Sequence, residues 1–145
     1  NLTFSQQRSL LGTHIAACYY LGKKEEANRY FEEFITLFQK ECGGFPNYLK
    51  RASLRPARLF TVALPHLYTG RLEQAEAFFR SMLSGRRCKH CKYKGCFEAH
   101  QGLGLLFQMQ GKRAEAAEEF RLCLELDPYN WDALHKTRNG QPPKL

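Results

Sequence analysis

No apolar run in this sequence approaches the ~20 uninterrupted residues that a membrane-spanning helix needs, because Arg, Glu or Gln breaks every such stretch within a few residues. The opening residues, Asn1-Leu2-Thr3-Phe4-Ser5, include no Met, no basic segment and no apolar segment. They are therefore expected to be a cut boundary rather than a signal peptide, with residues ahead of Asn1 allowed for. Six cysteines in 145 residues are too few for a disulfide-dense secreted scaffold. Three of them cluster in a metal-like spacing, which points to a reducing compartment and a cytoplasmic protein. Acidic residues are also scarce: 14 Asp and Glu against 22 Lys and Arg leave a net charge of +8, which favours an acidic partner. Catalytic equipment is missing too. There is no phosphate-cradling Gly loop, no pair of carboxylates on a plausible cleft and no Ser-His-Asp set, so an enzyme is not expected. What remains is a chain of one-domain length with an ordinary hydrophobic share of 43%.

One short signature occurs three times: Gly22-x4-Ala27-x3-Phe31, Gly70-x4-Ala75-x3-Phe79 and Gly111-x4-Ala116-x3-Phe120. Apolar residues at helical spacing precede each copy, including Leu11, Ile15 and Cys18, then Leu59, Val62 and Ala63, then Leu103, Leu106 and Phe107. Each unit therefore reads as a helix, a Gly turn and a second helix. In physical terms Gly relieves the turn, Ala lets two helices approach, and Phe fills the space one turn further on.

The third unit reads His100-x2-Leu103-Gly104-x2-Phe107, then Ala116-x3-Phe120, then Asp127-Pro128. On these residues the chain resembles the tetratricopeptide repeat family, with His100 where a Trp is usual and Phe107 where a Tyr is usual. The resemblance implies an all-α, right-handed superhelical stack of about three antiparallel helix hairpins that binds a protein or peptide partner. The repeats fall at about 5–41, 57–84 and 96–128. A closing C-terminal helix is expected over 130–138, N-capped by Asn130. Acidic pairs on the second helices, Glu25-Glu26, Glu32-Glu33 and Glu118-Glu119, read as a solvated outer face.

The turn glycines are 48 and then 41 residues apart, against about 34 in the family, so something is inserted twice. The first insertion, 42–56, contains Gly43, Gly44, Pro46 and Pro56 and reads as a loop. The second, 84–96, holds the strongest chemical signal: Cys88-x2-Cys91-x4-Cys96-x3-His100. Four donors inside thirteen residues suit a tetrahedral Cys3His zinc site that is closed, and hence structural. His90 is the alternative fourth ligand. The rivals are free thiols on a loop and a redox Cys-x-x-Cys pair, although that pair normally sits in a βαβ setting. The same insertion carries Arg86, Arg87, Lys89, Lys92 and Lys94 without an acid, so nucleic acid or another acidic ligand is the runner-up partner and a thiol redox sensor the third reading.

In the family, partners lie in the concave groove lined by the first helix of each repeat. Alignment on the Ala positions puts Tyr19, Phe60, Leu64, Leu67, Leu105 and Gln108 there, and implies an apolar groove.

Overall fold

The computed structural model describes residues 1–52, 56–84, 96–130 and 133–134. Each of the three signatures sits on the same turn. Gly22, Gly70 and Gly111 have φ of 73°, 81° and 75°, a left-handed conformation that costs a residue with a Cβ. With that geometry Lys23 N donates to Cys18 O, Arg71 N to His66 O and Lys112 N to Phe107 O, all at 2.8 Å. Each glycine N–H donates to a carbonyl three residues back at 3.1 Å. This pair of bonds is the Schellman closure of a helix end.

The turns join α1 (Phe4–Tyr20) to α2 (Lys24–Cys42), α4 (Pro56–Tyr68) to α5 (Leu72–Ser84), and α6 (Phe97–Met109) to α7 (Arg113–Leu126). With α3 (Phe45–Ala52) they make an all-α stack of three hairpins, with no strand among the described residues. A capping box starts α1: Gln6 N donates to Thr3 Oγ1 at 3.1 Å and Thr3 N to Gln6 Oε1 at 2.9 Å. The first helices form one layer, α1 against α4 and α4 against α6, while α5 packs on α6. All six Ala and Phe signature residues are 5% exposed or less.

The core is tightest at the last hairpin. A Cβ on Gly102 would lie 2.2 Å from the ring of Phe79 on α5, and one on Gly104 would lie 2.5 Å from the ring of Phe120 on α7. Two glycines two residues apart thus let one ring from each neighbouring helix seat directly on the backbone of α6.

One expectation is corrected. Residues 42–56 were expected to form a loop, but Phe45–Ala52 are helical. Gly43, at φ 81°, does end α2, yet Pro46 lies in the first turn of α3, where a missing N–H costs nothing. Phe45, Tyr48 and Leu49 then form an apolar face at helical spacing. That face wedges α3 between α2 and α4. Phe45 lies 5.1 Å from Phe38 of α2, 5.5 Å from His66 of α4 and 6.1 Å from Phe78 of α5, measured between ring centroids.

His66 is the one buried polar side chain of the described core, at 5% exposure. Its Nδ1 meets Val62 O at 2.9 Å, and the rings of Phe31, Phe45 and Phe78 surround it. Burial holds its pKa below the ordinary imidazole value and the Arg71 charge adds to the effect, while the Val62 hydrogen bond opposes both.

At the C-terminal end, Asn130 Oδ1 accepts from Ala133 N at 2.9 Å, a capping bond of the kind expected there. Residues 131–132 and 135–138 of the expected closing helix lie outside the described residues.

Candidate functional site

A cleft of about 730 Å³ opens between α1 and α4. One wall is Ser5, Arg8, Ser9, Gly12, Thr13 and Ala16, which recur every three or four residues and so share one face of α1. The facing wall is Thr61, Leu64, Pro65 and Tyr68, a matching stripe on α4. Glu41 and Tyr48 close one end. There Arg8 pairs with Glu41, and its guanidinium stands 5.3 Å from the Phe38 ring centroid and 5.1 Å from that of Tyr48. The charge is therefore held both by a carboxylate and by two ring faces.

At the other end, Tyr19 and Tyr20 from the end of α1 gather with Tyr68 from the end of α4. Centroids are 5.1 Å apart for Tyr19–Tyr20, 5.1 Å for Tyr19–Tyr68 and 5.8 Å for Tyr20–Tyr68. Burial raises the Tyr19 pKa, and the adjacent Tyr20 adds to the shift. Tyr20 is 56% exposed and the neighbouring Leu21 70%, so the patch has a wet rim and an apolar body, a combination favoured at protein interfaces.

This cleft differs from the one expected. Leu67 and Leu105 are 0% and 5% exposed, which makes them core and not groove. A first helix in the middle of a stack has neighbours on several sides, and these two positions face inward. Phe60 is half-buried against the core, 6.3 Å from the Phe79 ring, and Gln108 is half-buried too. Only Tyr19 and Leu64 of the six belong to the cleft and its rim. Small and hydroxyl-bearing residues of α1 face Leu64, Pro65 and Tyr68 of α4, so the lining is mixed rather than uniformly apolar. The residues that were missed, Ser5, Ser9, Thr13 and Thr61 among them, had a signal: a stripe of small and hydroxyl side chains at helical spacing marks a face that packs on nothing large.

The first and third hairpins match tetratricopeptide repeat models. The matches cover residues 13–40 and 97–130. These two are tetratricopeptide-like hairpins, and the cleft lies between the first helix of one of them, α1, and α4 of the second hairpin, which neither match covers. No curated protein and no solved structure matches the chain.

Of the expected metal ligands, Cys96 and His100 are described. Cys96 caps α6, His100 lies one turn later, and His100 N donates to Cys96 O at 3.3 Å. Cys88 and Cys91, the alternative His90, and the basic residues Arg86, Arg87, Lys89, Lys92 and Lys94 lie outside the described residues. Among the described residues, no three His, Cys, Asp or Glu side chains gather as a metal site. His100 has one close polar partner that the tetratricopeptide pattern does not foretell: its Nδ1 is 2.7 Å from Glu119 Oε2 on α7. Glu118 is solvated and paired with Arg121, as an outer face requires, but Glu119 is turned inward, with its side chain 18% exposed. Of the other described cysteines, Cys18 and Cys123 are buried and Cys42 is half-buried. No helix among the described residues is long and apolar enough to cross a membrane.

Proposed function

We propose that this chain is a protein-interaction module that holds an extended segment of a partner protein in the α1/α4 cleft. The observation that carries the reading is the cleft itself, a stripe of mostly small and hydroxyl-bearing side chains on α1 that faces Thr61, Leu64, Pro65 and Tyr68 on α4 and ends in the Tyr19, Tyr20 and Tyr68 patch. An extended segment brings unpaired backbone N–H and C=O groups; the hydroxyls of Ser5 and Ser9 can donate or accept, and that of Thr13, whose proton goes to Ser9 O, can still accept. The tyrosines offer a large contact area at little entropic cost. The likeness of two hairpins to tetratricopeptide repeats supports a binding role of this kind.

The test is selection of binders from a random-peptide display library, followed by amide chemical-shift mapping on the labelled chain. Shifts concentrated on α1 and α4 are expected. Ala16→Arg, which places a long charged side chain in the cleft, should weaken the selected peptide at least about tenfold, a loss of about 1.4 kcal/mol. Shifts confined to other helices, or full affinity in Ala16→Arg, would refute the cleft as the site.

In the same reading a structural zinc ion, held by Cys88, Cys91, Cys96 and His100, fastens the second insertion to α6. Two features support it: the ligand spacing and the position of Cys96 and His100 one turn apart at the start of that helix. Metal content of the purified chain by native mass spectrometry tests it, with one zinc per chain expected.

A further inference from the structure

The three first helices are written alike. Ser9–Gly22, Leu59–Gly70 and Ala99–Gly111 contain no Asp, Glu, Lys or Arg, in a chain where 25% of the residues are charged. A helix that is apolar on every side belongs in an interior. Two of the three have that setting: α4 lies between α1 and α6 and backs onto α5, and α6 is met by α4, α5 and α7. The third, α1, packs mainly on α2 and α4.

The remaining side of α1 carries one stripe. Leu10, His14, Ala17 and Leu21 follow one another at intervals of four, three and four residues, so they share a face about 16 Å long. Leu10 is 49% and Leu21 70% exposed, and His14 and Ala17 are exposed as well. Aligned on Ala27 and Ala116, the positions of Leu10, His14 and Ala17 correspond to Ala99, Leu103 and Leu106 of α6, each of them 0% exposed. The same positions are thus covered in the last hairpin and bare in the first. The His14 ring is braced edge-on by Tyr30, with centroids 5.1 Å apart. Beside Leu10, a hollow of about 640 Å³ opens between α1 and α2, with Glu32 and Glu33 as well as Arg29 and Lys40 on its rim.

We infer that this stripe is the contact between two copies of the chain, paired antiparallel across a two-fold axis. The stripe is self-complementary. With the axis at the level of Ile15 and Ala16, Leu10 meets Leu21 of the second copy and His14 meets Ala17 of the second copy, and each contact occurs twice, as a two-fold axis requires. The large His14 ring falls opposite the smallest residue of the stripe, which lets the two helices approach. Charge favours the same place. Two chains of net charge +8 repel one another, and here they meet with no Lys or Arg on either stripe. The register also carries Lys23 and Lys24 of the second copy, just beyond its Leu21, towards the hollow where Glu32 and Glu33 stand. The α1/α4 cleft lies on another side of α1, so self-pairing is a second interaction, separate from the binding of a peptide.

The test is sedimentation equilibrium of the full chain over about a hundredfold range of concentration, across which mass action converts monomer to dimer. Leu10→Arg, at a half-exposed position, should weaken the dimer at least about tenfold with its circular dichroism unchanged. His14→Glu and Ala17→Lys should each weaken it by a similar factor. Combined in one chain they should restore most of the association, because each new carboxylate then faces the new ammonium group of the other copy. A chain that stays monomeric at every concentration overturns the inference, whether a partner's helix or another part of a longer chain then covers the stripe. A dimer indifferent to Leu10→Arg joins through some other surface and overturns it too. Single variants that weaken the dimer without recovery in the double variant overturn the antiparallel pairing.

Discussion

Gly102→Ala isolates the packing of Phe79 on α6. In the middle of a helix, Gly→Ala ordinarily gains about 1 kcal/mol, because alanine loses less backbone freedom on folding. Here the new methyl would lie 2.2, 2.4 and 2.6 Å from three carbons of the Phe79 ring. Carbon atoms prefer about 3.5–4.0 Å, so ring and helix must part by more than about 1 Å. Phe79 is 0% exposed, so the ring cannot relieve the overlap by swinging out to solvent without giving up its burial. Overpacking of this kind costs about 1–3 kcal/mol, and the size of the overlap places it at the upper end. After the propensity gain is subtracted, a net loss of about 2 kcal/mol remains, or about 6 °C in Tm for a chain of this length. Gly12→Ala supplies the control. Its Cβ would meet only Pro65 Cγ at 4.0 Å, an ordinary contact, so the propensity gain survives and Tm should rise by about 3 °C. Circular dichroism at 222 nm during thermal and urea unfolding reads both variants. The double variant Gly102→Ala with Phe79→Leu should recover part of the loss. A Gly102→Ala protein as stable as the wild type would refute the reasoning, since the ring would then have room to move.

His66 predicts a pH dependence. Its folded pKa lies below the ordinary value of 6.5, so the unfolded chain binds a proton that the folded chain resists. The stability contribution is complete above pH about 6.5 and declines as the pH falls through the folded pKa; His66→Phe should flatten this part of the profile in urea melts from pH 7.5 to 5. Removing zinc with a chelator should lower Tm, by the equivalent of about 2.7 kcal/mol if free zinc had stood at a hundred times its dissociation constant; an unchanged melt would count against a structural metal. Peptide binding in the cleft should change little between 50 and 200 mM salt, because the Arg8 charge is already paired with Glu41. A drop of about a thousandfold would instead indicate phosphate contacts and redirect attention to the basic segment 86–94.

The three hairpins were legible because their signal is local and repeated: a turn that needs positive φ, and a small and a large side chain at fixed spacing. Residues 45–52 were not, because Gly43-Gly44 and Pro46 read as breakers when the first ends one helix and the second begins another. The cleft was half legible. Family register put Leu67 and Leu105 on its lining, yet which side of a first helix stays open depends on how its neighbours pack, and that is not written in one repeat. The hydroxyl stripe on α1 was visible in the sequence but carries no hydrophobic signal to draw the eye. The inward turn of Glu119 depends on the approach of α6 to α7 and could not be seen in a pattern of acidic pairs.

The wedge of α3 bears on how this stack comes apart. In simple helical repeats each unit touches only its neighbours, and stability is close to a sum of unit and interface contributions. Here the Phe45 ring reaches three helices in two hairpins at once, and the His66 ring adds Phe31 of α2 to the same cluster. The first two hairpins thus share one aromatic cluster and are expected to open as one cooperative unit. Slow amide exchange in α2 and α4 should then have a common opening free energy, and removing the Phe45 ring should separate them.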